Sequence, residues 1–173
     1  MAKKLTPWIM AILAIVVFLN FYPLVFFNIY THSLPYGIYI KTSGDPERGS
    51  YAATCLTPEI AQYGIEKGYL AHGRQCTSGT VMVLKVIEGL PGDHYSVENG
   101  FFEINGVSYN VLPKDSQGRP LRAFYGQNQG VVEKGKYILL SNFIKNSWDS
   151  RYWGPVGIQF LVKPLWIFDH HEK

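Results

Sequence analysis

Lys85 stands in the run Val81-Met82-Val83-Leu84-Lys85-Val86-Ile87, where an ammonium would sit among aliphatic neighbours on both faces of a strand. Burial disfavours the charged amine and lowers a lysine pKa by up to about 3 to 5 units, toward the range where the neutral form takes up a proton. Such a lysine is a candidate general base. The competing reading puts it at a strand edge with its ammonium reaching water. A base needs a nucleophile, and Ser33 in Thr31-His32-Ser33-Leu34-Pro35-Tyr36-Gly37 is the best placed. Pro35 disfavours helix at Leu34 and Gly37 permits an unusual backbone, so the hydroxyl would be presented on a stiff turn. Taken alone, a loop serine is usually just solvated.

Histidine-based schemes fit the sequence poorly. His32 adjoins Ser33 and cannot fold back to serve as its base, His94 is the immediate neighbour of Asp93, and His72 lies in a Gly-rich polar stretch. His170 and His171 end a polar tail, and exposed histidines without placed carboxylates are more often solvated than metal-bound. Paired carboxylates, a phosphate-cradling glycine loop and a dinucleotide fingerprint are not visible. No metal or cofactor is called for.

The elements that must position Ser33 and Lys85 follow from pattern. From Trp8 to Tyr30 no formal charge occurs, and as a helix that stretch would measure about 34 Å, enough for a hydrocarbon core of roughly 30 Å. Asn20, Pro23 and Asn28 interrupt it, and Pro23 is expected to kink the helix or mark its exit from the bilayer. Lys3 and Lys4 precede the stretch and no Lys or Arg follows until Lys41, so the N-terminus is expected in the cytoplasm and the rest outside. The stretch ends in bulky residues, without the small ones a cleavage site needs, which favours an uncleaved anchor over a secretory signal. Residues 1–30 are thus read as a cytoplasmic tip and transmembrane anchor, with the lipid bilayer as partner, and 31–173 as one extracytoplasmic domain.

That domain reads as strands. The 173 residues are 47% hydrophobic and 17% charged with a net charge of +3, which excludes a disordered solvating chain and leaves no basic stripe for nucleic acid. Strands are expected at Ile38–Ile40, Val81–Ile87, Tyr137–Leu140 and Ile158–Val162, and Asn99-Gly100 and Asn105-Gly106 signal two consecutive tight hairpins. Pro58–Tyr69 alone has helical character. Pro113–Pro120 is a polar loop. The fold class is therefore mainly β, an antiparallel domain behind one N-terminal transmembrane helix. Cys55 and Cys76 bracket the helical segment; an oxidising exterior would let them pair, contributing about 3 kcal/mol, while two buried thiols remain the alternative. Zinc is disfavoured, since neither Cys-x-x-Cys nor a His at finger spacing accompanies them.

Three blocks together resemble the type I signal peptidases, membrane-anchored proteases with a Ser-Lys dyad. They are Thr31–Gly37 after the apolar stretch, Leu84-Lys85-Val86-Ile87-Glu88-Gly89-Leu90-Pro91-Gly92-Asp93, and Ser147-Trp148-Asp149-Ser150-Arg151-Tyr152-Trp153-Gly154. Their order and the Ser33-to-Lys85 separation are similar to the family's and cover nearly the whole chain. Ser33-Leu34-Pro35-Tyr36-Gly37 and the segment bounded by Cys55 and Cys76 look most like the conjugative-transfer, TraF-type enzymes that mature pilin precursors. Val86 stands where the family often has Arg, and Arg48-Gly49-Ser50 replaces a more usual Arg-Gly-Asp.

The resemblance implies a signal-peptidase-like β domain on a single-pass anchor in a bacterial inner membrane, with the catalytic part in the periplasm. It makes Ser33 the nucleophile and Lys85 the base, with the Ser33 N–H and the Thr31 hydroxyl as oxyanion donors. Ser147 would orient the lysine. Asp149 and Arg151 would support that loop, or form an ordinary surface ion pair. Cys55 and Cys76 match a cysteine-bounded insert. The implied partner is a membrane-embedded precursor, a pilin propeptide or a signal peptide, bound extended along a strand edge. The acyl-enzyme would be resolved by water or by the pilin's own amine, giving a circle. Trp148, Trp153 and Phe101-Phe102 belong to the core or, alternatively, touch lipid headgroups. A general signal peptidase and a non-catalytic anchored scaffold are the rival readings.

Overall fold

The computed structural model describes residues 7–21, 25–29, 31–125 and 128–168. Helix α1 (Pro7–Phe21) carries exposed apolar side chains along its length, Trp8, Met10, Ile12 and Phe18 among them. Its 15 residues measure about 22 Å. No described helix is long and apolar enough to cross a membrane. The expectation of one helix from Trp8 to Tyr30 is corrected at its end, because Val25–Asn28 is a strand, β1. Val25-Phe26-Phe27 suits a pleated surface better than a helix. The strand pairs antiparallel with β2 (Gly37–Thr42) and turns Phe26 and Asn28 inward and Phe27 outward. Residues 25–28, counted above with the anchor, therefore belong to the sheet. The expected kink at Pro23 lies outside the described residues.

Eight further strands are legible in the ladders among the described residues. β3 (Tyr51–Thr54), β4 (Val83–Gly89), β9 (Ile138–Leu140) and β10 (Phe160–Ile167) join β1 and β2 in a six-stranded sheet of order β1-β2-β10-β3-β4-β9. β5 (His94–Glu98), β6 (Phe101–Ile104), β7 (Val107–Asn110) and β8 (Gln129–Val131) form a second sheet of order β7-β6-β5-β8. Every paired strand is antiparallel. The two hairpins fall where expected: Asn99 and Gly100 have φ of 51° and 81°, Asn105 and Gly106 52° and 76°, the positive-φ pairs of a two-residue turn whose twist matches its strands. Helix α2 (Pro58–Lys67) occupies the predicted helical segment and stops at Gly68, whose φ of 74° closes the last turn. A one-turn helix, α3 (Ser150–Trp153), was not expected from pattern.

Two of the three apolar clusters flank the site. One packs Ile60 and Ala61 of α2 with Ile87, Leu139, Trp148, Tyr152 and Trp153. A second gathers Phe26, Leu34, Tyr39, Ala53, Val86 and Val162. The third joins the two sheets through Phe102, Ile104, Ile138 and Leu140. Trp148, Trp153 and Phe102 are thus core residues, which removes them from lipid contact; Phe101 remains exposed.

Candidate active site

Register places Lys85 where two cores meet. It pairs with Ala52 of β3, while β9 joins β4 only from Val86 onward. The side chain is buried, 3% exposed, so the strand-edge reading with a hydrated ammonium does not hold. Its amine donates to Ser33 Oγ at 2.5 Å and to Ser147 Oγ at 2.8 Å. Both partners are neutral hydroxyls. Burial pushes the Lys85 amine down to about 8; Asp149 acts against the fall and Arg151 with it. A buried amine that is readily neutral, in contact with a serine hydroxyl, can accept that hydroxyl's proton.

Ser33 lies in the turn between β1 and β2. The Asn28 amide donates to the carbonyls of Leu34 and Pro35 at 2.9 and 3.1 Å, Tyr39 donates to the Pro35 carbonyl at 2.7 Å, and Ser141 donates to the Ser33 carbonyl at 2.8 Å. Thr31 is exposed and its hydroxyl donates to Asn28 Oδ1 at 2.8 Å. The His32 ring contacts the Tyr36 hydroxyl at 2.8 Å. Gly37 is needed for a reason other than backbone freedom. A Cβ there would collide with the Trp166 carbonyl of β10 and press on Ile167.

The third block supplies the other wall. Asp149 and Arg151 are 0% and 3% exposed, so theirs is no surface pair. Asp149 accepts from Arg151 Nε at 2.8 Å, from Nη2 at 2.9 Å and from the Ser141 N–H at 3.1 Å. Arg151 also donates to the carbonyls of Ser147, Lys145 and Asn110. The pair therefore fixes the loop that brings Ser147 to Lys85. Cys55 and Cys76 form a disulfide with Cα atoms 5.6 Å apart, and the insert it closes packs on Trp148 through Tyr63, Tyr69 and Gly64. Arg48 of the departing Arg-Gly-Ser segment pairs with Asp93 at 2.6 Å, tying that segment to the end of the lysine block.

Asn28, Tyr39 and Ser141 were missed as site residues in the sequence. Asn28 appeared only as an interruption of an apolar stretch, and that interruption was the available signal: an amide among apolar neighbours must find partners when buried. Ser141 follows β9 with no cue of its own.

Known proteins are similar to this chain over most of its length. The family model described as signal peptidase, peptidase S26, matches residues 2–162. A plasmid transfer protein TraF of Escherichia coli is 30% identical over 143 residues, 78% of this chain and 79% of that protein. A conjugal transfer protein TraF of Agrobacterium fabrum is 34% identical over 109 residues, 60% of this chain and 58% of that one. Among solved structures, a signal peptidase I from Enterococcus faecalis covers 69% of this chain and 98% of its own, at 21% identity and a TM-score of 0.39. On the family match and these relatives, the chain belongs to the signal peptidase S26 family and is of the TraF type.

Proposed function

We propose that this peptidase works through a Ser33-Lys85 dyad. Neutral Lys85 takes the Ser33 proton as Oγ attacks the scissile carbonyl; the proton then passes to the leaving amine, and an acyl-enzyme forms. Ser147 holds the amine on line. The Ser33 N–H and the Thr31 hydroxyl, turned away from Asn28, stabilise the oxyanion. The observation that carries this reading is the buried Lys85 amine, 2.5 Å from Ser33 Oγ and 2.8 Å from Ser147 Oγ.

The substrate is a precursor presented at a membrane, and its scissile segment binds extended beside Lys85. Among the described residues, the β4–β9 ladder stops at Val86 and leaves Val83–Lys85 without a strand partner on that side, which supports strand addition there. α1 with its exposed apolar side chains serves as the anchor. Supporting an interfacial position, Phe27, Ile38 and Trp166 line one row across β1, β2 and β10, with Phe27 and Trp166 exposed and Phe168 against Trp166. The dyad then faces the periplasm, where the disulfide persists.

The relatives' names, plasmid transfer and conjugal transfer protein, support a role in conjugation over general signal-peptide removal, and we take the substrate to be a pilin precursor. Mass spectrometry of a candidate pilin precursor co-expressed with the wild type and with Ser33→Ala tests this. Trimming by the wild type alone is expected, and a mass lower by one water than the trimmed linear chain marks cyclisation. An unchanged precursor in both removes the pilin assignment.

A further inference from the structure

Three consecutive main-chain carbonyls begin at Ser33, and each is held by a buried side chain. Ser141 donates to the Ser33 carbonyl, Asn28 to those of Leu34 and Pro35, and Tyr39 again to that of Pro35. Asn28, Tyr39 and Ser141 are 6%, 0% and 4% exposed, and they come from β1, from β2 and from the residue after β9. Pro35 has no N–H to give a ladder, so side chains must satisfy what a strand would otherwise pair. The Ser141 bond also closes a circuit. Its N–H reaches Asp149, Asp149 holds Arg151, Arg151 holds the Ser147 carbonyl, and Ser147 Oγ meets Lys85 Nζ, which meets Ser33 Oγ.

We infer that Asn28, Tyr39 and Ser141 are positioning residues that lock the Ser33 turn so that Oγ stays on the Lys85 amine. The inference rests on Ser33 being the nucleophile. An unheld Ser33–Leu34 peptide plane rotates easily and carries the serine side chain with it, and a displacement of about 1 Å at reacting atoms costs on the order of a hundredfold in rate. Burial pushes the Tyr39 phenol up, with Tyr51 adding to the effect, so it stays a donor at any working pH. The Asn28 amide has one orientation only, since its nitrogen serves two carbonyls and its oxygen faces the Thr31 hydroxyl.

The test is acylation of the full chain in detergent by a penem-type agent, followed by intact mass, across agent concentration and pH. Tyr39→Phe and Ser141→Ala, each lacking one oxygen, are expected to lower the saturating rate about five- to tenfold. Asn28→Asp, which sets a carboxylate against two carbonyls, is expected to lower it about a hundredfold. In Tyr39→Phe and Ser141→Ala, which add no charge, the half-saturating concentration and the pH midpoint stay at wild-type values because the contacts of Lys85 are untouched, and Ser141→Thr restores the rate to within about twofold. If Asn28→Asp does not fold, the two single-oxygen variants decide. Folded variants that acylate at the wild-type rate while Ser33→Ala is silent overturn the positioning role and leave the nucleophile standing. So does a loss in either single-oxygen variant that is confined to half-saturation or accompanied by a moved midpoint. Undiminished acylation of Ser33→Ala overturns the nucleophile and this inference with it.

Discussion

Ser147 faces two ways: its hydroxyl accepts from Lys85 at 2.8 Å, and its carbonyl accepts from Arg151 at 3.0 Å. Ser147 is thus fixed by a buried guanidinium that is paired with Asp149. The two charges act on Lys85 in opposite senses, Asp149 favouring the ammonium and Arg151 opposing it, and burial, the largest influence, sets the direction. The third block thus sets a buried, mutually paired carboxylate and guanidinium beside a lysine whose charged form is disfavoured by burial.

Asp149→Asn should expose that balance. Losing the carboxylate removes the influence that raises the Lys85 pKa, so the rising limb of activity should move to lower pH. Breaking a buried pair from one side should also cost about 3 to 5 kcal/mol of stability. A pH–rate profile and a denaturant melt on the same preparation check both. A limb that stays in place or moves upward contradicts that influence.

Lys85 should weaken the fold at neutral pH. Its pKa is near 8 when folded and 10.5 in the unfolded reference, so between these values the unfolded chain binds more protons and stability rises with pH. Below the folded value the full penalty applies, about 3 kcal/mol by linkage. Lys85→Met is expected to be inactive yet more stable at pH 7, the gain shrinking toward pH 10. Denaturant melts of wild type and variant across that range measure it, and equal stability at pH 7 argues against a buried amine.

Much of this arrangement was visible before the fold. Asn99-Gly100 and Asn105-Gly106 gave both hairpins, because a two-residue turn with two positive φ values admits few sequences. The aliphatic setting of Lys85 left burial and a hydrated strand edge both open, and it was the resemblance of the three blocks that associated Ser33, Lys85 and Ser147. What stayed hidden depends on pairing over long separations. β1 was masked by its apolar composition, which suits a span as well as a buried strand. Asn28, Tyr39 and Ser141 act on main-chain carbonyls, which carry no residue type to read. Gly37 looked like a source of backbone freedom and is instead a point of close approach to Trp166.

Gly37→Ala checks that last point. The added methyl meets a main-chain carbonyl, which cannot swing aside as a flexible side chain would. The β2–β10 pairing next to the serine turn should shift, with about 1 to 3 kcal/mol lost. Thermal melts and activity together report it; a neutral effect on both would place Gly37 outside the site's support.

The insert should matter to catalysis through Trp148. Replacing Cys55 and Cys76 together by Ala should cost about 3 kcal/mol. It should lower activity as well, since α2 and Tyr69 pack on the residue beside Ser147. In native membranes both cysteines should resist alkylation until reduced. Two thiols freely alkylated there would contradict the bond and the periplasmic placement.

The most direct measurement is the pH dependence of acylation by a penem-type agent, with the modified peptide identified by mass. The account predicts adduct on Ser33 alone, at a rate that climbs with pH through a midpoint near 8, and no adduct in Lys85→Ala. Adduct on another serine, or a rate that is flat through the neutral range, would contradict it.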